Sequence, residues 1–252
     1  MKSRIRNVLH ALVCGGLLLG LLLGLLIAAP ARPAQAQSSA GQSSNGQGRD
    51  GGQYAELTAR WWQWVFSLDA PTDANGNNTN PLLDTTGAYA ARGQEDGIGP
   101  ANKYFFLAGS FNPGNVERTV TVPAGKALFF PVINAWVDNT GDPPTTYSVP
   151  ELRSMAAGFV DSNTSRYARL DGRDLQTPRI QSPVFAYFLP DKDNLLNVQF
   201  GVSGPNFVGR VHPAVSDGYW TVIPPLSPGE HTLEFGGSGD FTLDVVYHLT
   251  VQ

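Results

Sequence analysis

The chain has 252 residues, with 17 Lys+Arg against 21 Asp+Glu, 28 Gly, 19 Pro and a single Cys. The first 36 residues carry four of the basic side chains (Lys2, Arg4, Arg6, Arg32) and no acid, so the remaining 216 have a net charge of −8. That sign argues against nucleic acid or anionic membrane as the main partner, because both select basic surfaces. A hydrophobic content of 42% is ample for a core, and a chain of this length buries roughly 70% of its unfolded surface.

Lys2, Arg4 and Arg6 precede an apolar run from Ala11 to Ala28, and Pro30 and Pro33 then break any helix ahead of Ala34-Gln35-Ala36. A basic start, an apolar stretch and a small-x-small site make a secretory signal peptide, with cleavage expected after Ala36. The apolar run is 18 residues long, close to the ~20 that span a bilayer. An uncleaved anchor is the alternative, and membrane association is expected only in that case. Arg4 and Arg6 are not adjacent, which favours the general secretory route over the twin-arginine one. Val13 stands before Cys14 where a lipoprotein needs a small residue. The expected location is secreted, periplasmic or extracellular. The mature chain has no Cys, so disulfides, cysteine nucleophiles and thiolate metal sites are excluded.

Gln37 to Gln53 holds only Gln, Ser, Gly, Ala, Asn, Arg and Asp, which offers nothing to bury and predicts a flexible tether. Leu57, Trp61, Trp64, Val65 and Leu68 recur at helical spacing and predict a helix over Tyr54–Leu68. After a turn-rich loop, short apolar runs between Gly and Pro predict strands at Tyr104–Phe111, Arg118–Val122, Lys126–Ile133, Tyr167–Asp171, Ile180–Leu189, Leu195–Val202, Tyr219–Ile223, His231–Phe235 and Phe241–Val251. Lys126–Ile133 is apolar on both parities, as a strand covered on both faces would be. The last strand alternates between one dry and one wet face. Ser148-Val149-Pro150-Glu151 predicts a capped second helix, Val149–Asp161. Asp171-Gly172 predicts a tight hairpin turn. The fold class that follows is mainly β: one antiparallel β-sandwich or jelly-roll-like domain over residues 54–252, with two peripheral α-helices.

Most familiar catalytic signatures are absent. No Ser is flanked by Gly at minus two and plus two, and there is no His-Glu-x-x-His or phosphate-binding Gly-Lys-Ser/Thr loop. No cofactor is therefore expected. His212, His231 and His248 are the histidines of the mature chain. If the loop Gly236–Asp240 pairs Phe235 with Phe241, His231 opposes Val245 on the dry face and His248 lies on the wet one, so the two cannot share an ion. His231 is then either a core histidine bonded to backbone or an acid/base group. A secreted hydrolase or lyase would use His231 or His212 with Asp217 or Glu230. Asp73, Asn75, Asn77 and Asp84 are loosely spaced like a calcium loop, but Asn78 stands where such loops need Gly, and a plain turn is the competing reading. No other metal site is expected.

The aromatic residues suggest a binding surface. Trp61 and Trp64 lie on the apolar stripe, whereas Trp62 points about a quarter-turn away. Trp136 follows a buried strand, and Tyr219 and Trp220 are neighbours that must face opposite ways. An exposed Trp or Tyr on a sandwich suits sugar rings, so Trp136, Trp220 and Tyr219, flanked by Asp217 and Asn134, are the candidate ligand-binding residues. Packing between layers is the alternative role for the same rings.

Several segments together resemble a family of uncharacterised secreted bacterial proteins. They are Arg60-Trp61-Trp62-Gln63-Trp64, Asn80-Pro81-Leu82-Leu83-Asp84-Thr85-Thr86-Gly87 and the run from Val122 to Asn134. Asp217-Gly218-Tyr219-Trp220, Pro228-Gly229-Glu230-His231-Thr232 and Tyr247-His248-Leu249-Thr250-Val251 complete the set. The resemblance covers nearly all of the mature domain and implies export, with no activity attached. Relatives of that kind carry cysteines near Ala90, Val120 and Val137, which this chain lacks. The function expected is an exported, non-catalytic binding or envelope-associated module whose partner is a polysaccharide or another envelope component.

Overall fold

A computed structural model describes residues 47–94, 97, 102–141 and 143–252. The expected export signal and residues 37–46 of the expected tether lie outside the described residues. Within them the chain runs α1 (Gln47–Ser67), β1 (Tyr104–Phe106), β2 (Gly114–Val122), β3 (Ala127–Asp138), α2 (Val149–Asp161), β4 (Asn163–Leu170), β5 (Arg173–Asp174), β6 (Arg179–Gln181), β7 (Phe185–Leu189), α3 (Leu195–Phe200), β8 (Gly209–Ile223), β9 (Gly229–Gly239) and β10 (Leu243–Val251). The strands form two five-stranded sheets. The first has the order β1-β3-β8-β6, with β7 also on β8, and the second has the order β2-β10-β9-β4-β5. The mainly β, sandwich-like class read from the sequence is the observed one. Most pairs are antiparallel, but β1 runs parallel to β3 and β2 parallel to β10.

β3 is the middle of the molecule and is buried along all of its length after Ala127. Its bulge between Pro131 and Ile133 resets the alternation. Phe129 stacks on Trp220, and Trp136 meets Trp62 and Phe66 of α1. Phe130 meets Phe235 of the second sheet, and Val137 joins Leu152 and Ala156 of α2. The first sheet is thus covered by a helix on one side and by the second sheet and α2 on the other. This is why β3 reads as a continuous apolar run.

α1 begins inside the segment expected to be a tether. Gln53 Nε2 donates to the Tyr104 hydroxyl at 2.7 Å, and Tyr54 packs on the core, so the helix is anchored before its apolar stripe starts. The segment after it locks its far end: Asn80 donates to the carbonyls of Val65 and Leu68, satisfying groups the helix leaves open. The capping box of α2 is present, with the Glu151 carboxylate accepting from the backbone N–H and the hydroxyl of Ser148. Those two bonds lower the Glu151 pKa.

Three sequence expectations are corrected. Leu195–Val202 is not a strand: Asn194 caps a short helix by accepting from the Asn197 N–H, and Gly201 in the left-handed region stops it. The alternating Leu196, Val198 and Phe200 mimicked a strand. Ile180–Leu189 is two strands, β6 and β7, interrupted at Ser182-Pro183-Val184. The strand expected at Tyr219–Ile223 begins instead at Gly209, because Gly218 is a mid-strand position and not a turn. A Cβ there would fall 2.6 Å from Asn134 Cβ on β3, so only glycine allows the two strands to approach.

Candidate functional site

The candidate aromatic shelf is interior. Trp136 and Trp220 are fully buried: Trp136 donates its Nε1–H to Asp138 at 2.7 Å, and Trp220 lies between Trp61 and Phe129. Trp62 is buried as well, donating to the Ser216 hydroxyl at 2.9 Å. Neither Trp136 nor Trp220 offers a face to a ligand, which corrects the sequence expectation. A second sheet and a helix cover both faces of β3, and no local pattern announces the helix layer. Tyr219 is partly buried, with the Arg166 guanidinium 3.6 Å above its ring. Asn134 is buried opposite Gly218.

Asp217 is buried but occupied. Arg179 holds it with two bonds at 3.0 and 2.9 Å, and Gln181 donates to it at 3.1 Å. Arg179 also pairs with Asp161, and the two carboxylates raise its pKa, Asp217 most of all. Glu230 accepts from the Thr250 hydroxyl on the outer face of the second sheet. His212 is exposed on β8.

His231 opposes Leu249, not Val245, because β9 runs on through Gly236 and Gly237 and pairs Phe235 with Val245. A Cβ at Gly236 would meet the Leu243 carbonyl at 2.1 Å, so these glycines, read as a loop, are strand positions of close approach. The offset is four residues, an even number, so each side chain keeps its face. His248 is on the wet face, 2.6 Å from Glu117. His231 places Nδ1 2.8 Å from Asp171 and Nε2 3.1 Å from the Ser227 carbonyl. Both ring nitrogens face acceptors, which favours the doubly protonated ring. Asp171 raises the His231 pKa first and the Ser227 carbonyl adds to it; the His231 bond in turn is the main cause that lowers the Asp171 pKa. A ring held this way ties the β4–β5 turn to the loop before β9 and has no free nitrogen to act as a base.

The calcium candidates are turn-makers. Asp73 accepts from the backbone N–H groups of Asn75 and Asn77 and from the Tyr89 hydroxyl. Asp84 accepts from the N–H and hydroxyl of Thr86 and the N–H of Tyr89. The carboxylate oxygens of both residues are engaged by donors of the loop itself.

Open clefts lie elsewhere among the described residues. Arg60, Gln63, Trp64 and Ser67 follow the i, i+3, i+4, i+7 spacing and form one face of α1. With Ala186 and Phe188 of β7 and Arg210 of β8 they line a cleft of about 530 Å³. Gln63 Nε2 donates to the Ala186 carbonyl at 2.7 Å and fixes the helix against the sheet. Phe188 and Arg210 are direct cross-strand partners, and Phe188 is 55% exposed. Among the described residues Arg60 and Arg210 make no ion pair. Arg210 also borders a second cleft of about 660 Å³, whose wall includes His212, Tyr147, Thr146, Asn206 and Pro213. Both volumes lie in the usual range for ligand clefts.

Of the residues lining the two clefts, Trp64 and His212 were singled out in the sequence, Trp64 for its place on the apolar stripe. Arg60 and Gln63 figured only within the Arg60-Trp61-Trp62-Gln63-Trp64 segment, and Arg210 lay outside every expected strand. Phe188 was findable, because alternation from Phe185 to Leu189 buries positions 185, 187 and 189 and leaves an aromatic ring outside. No protein-family model matches the sequence, and no curated protein or solved structure matches it.

Proposed function

We propose that this protein is an exported, non-catalytic binding module that takes a glycan or another envelope component in the clefts on either side of Arg210. One observation carries the reading. Among the candidate acid–base groups, Asp217, Glu230 and His231 are engaged in bonds within the fold, whereas Arg60, Arg210 and the exposed Phe188 face an open cleft. An acid–base mechanism needs a histidine and a carboxylate converging on one reacting centre; no two of Asp217, Glu230 and His231 meet, and His231, paired with Asp171, has its other ring nitrogen on the Ser227 carbonyl. The basic start, the apolar run and Ala34-Gln35-Ala36 support export, as does the resemblance to secreted proteins.

The test is retention on insoluble envelope fractions and polysaccharide resins. Wild-type protein is retained and Phe188→Ala/Arg210→Ala is not, while both melt at the same temperature. Passage of wild-type protein through every fraction and resin overturns the reading.

A further inference from the structure

Resting on that binding-module reading, we infer that the ligand is an anionic polysaccharide, a sugar chain bearing carboxylate or phosphate groups, which runs across Arg210 and fills both clefts. In the mature chain acids outnumber bases, yet no described residue lining either cleft is Asp or Glu, while Arg60, Arg210 and His212 are all there. The local field at the clefts is therefore opposite in sign to the net charge. At physiological salt the Debye length is ~8 Å, so distant acids are screened and the nearby guanidinium groups decide what binds.

The guanidinium fork matches a carboxylate or phosphate with two parallel hydrogen bonds. Phe188, directly across from Arg210, supplies an apolar plate beside that charge, where the C–H face of a sugar ring can lie. Gln63 spends its amide on Ala186, which leaves its carbonyl oxygen to accept from a sugar hydroxyl. Because Arg210 belongs to both cleft walls, one ligand can engage both only if it is extended, and this favours a polymer over a single sugar. Two arginines are too few to neutralise a duplex carrying one charge per ~1.7 Å, so a sparsely charged chain fits better than nucleic acid.

The experiment is titration of the mature protein with galacturonate, hexagalacturonate, polygalacturonate, fully methyl-esterified polygalacturonate and a glycerol-phosphate polymer, with phosphatidylglycerol vesicles as a further arm. Hexagalacturonate is expected to bind at least about tenfold more tightly than the monomer, the methyl ester to bind at least about tenfold more weakly than the acid, and R60A and R210A each to lose about tenfold. Binding of the glycerol-phosphate polymer, which carries no sugar ring, with the same arginine dependence but without binding of hexagalacturonate or polygalacturonate overturns the sugar-chain class in favour of a bare polyanion. Equal binding of the acid and its methyl ester, with R60A and R210A silent, overturns the anionic class while the module reading survives. Tight binding of the vesicles with no binding of either polymer overturns it in favour of a lipid surface. Absence of binding to every probe, together with no retention on any envelope fraction, overturns both.

Discussion

Two pairs of arginines in this fold have opposite circumstances. Arg118 and Arg179 are built in: Arg118, fully buried, donates to the carbonyls of Asp84, Ala108 and Gly109 and to the Tyr247 hydroxyl, and Arg179 clamps Asp217 and Asp161. Arg60 and Arg210 line an open cleft beside an exposed ring and make no ion pair among the described residues. The same side chain is a structural tie where acceptors surround it, and it is left facing open solvent where no ion pair forms among the described residues. The difference lies in the partners and not in the residue type.

Substitution separates the two pairs of arginines by how far each change lowers stability. Arg118→Ala removes the donor from four buried acceptors at once and is expected to cost about 3–4 kcal/mol in urea unfolding. A loss below about 1 kcal/mol would show that Arg118 is not the tie described. Asp217→Ala strips Arg179 of its buried partner. Because Arg179 is partly exposed and keeps Asp161, the expected loss is about 2 kcal/mol, below the 3–5 typical of a broken buried pair.

His231→Gln tests the corner formed with Asp171 through pH. The His231 pKa is raised, so its contribution is complete below the ordinary histidine value and disappears as pH rises through the raised one. The Asp171 pKa is lowered, so its share is complete above the ordinary aspartate value and disappears as pH falls through the lowered one. The gap in melting temperature between wild type and His231→Gln is therefore expected to be widest between about pH 4 and pH 6.5 and to close on the alkaline side. Its size should stay under about 1 kcal/mol, since Asp171 is exposed. A gap that persists unchanged to high pH would mean that packing, not charge, holds the corner.

Arg60→Ala and Arg210→Ala stand at the small end, with stability expected within about 0.5 kcal/mol of wild type while ligand retention falls. Destabilisation comparable to Asp217→Ala would place these residues among the structural ties.

Where the pattern was local, it was legible. The alternation of β10, the two-sided apolarity of β3 and the capping box of α2 each depend on residues a few positions apart, and the structure has all three. The glycines were the opposite case. Gly218 and Gly236 read as punctuation, yet each sits inside a strand because a neighbouring backbone presses against it. For Gly218 that neighbour is Asn134, far back in the sequence, and for Gly236 it is Leu243 on the paired strand, brought there by a register that a loop at Gly236 would not give. Trp136 and Trp220 follow the same rule: their strand positions were legible, but whether solvent or α1 covers them depends on a layer contributed from the other end of the chain.

The order of residues alone determined the class of fold, that β3 is covered on both faces, which positions in β10 face inward, and that His231 and His248 lie on opposite faces, because a pairing offset that is even leaves strand parity unchanged. Which polar and aromatic groups are already satisfied, and which remain available, follows from the packing of the folded chain. Satisfaction is a property of pairs, and the partners here are brought together from far apart: Asp217 by Arg179 on another strand, Trp136 by α1, and the open cleft by Arg60 on a helix and Arg210 on a strand about 150 positions later.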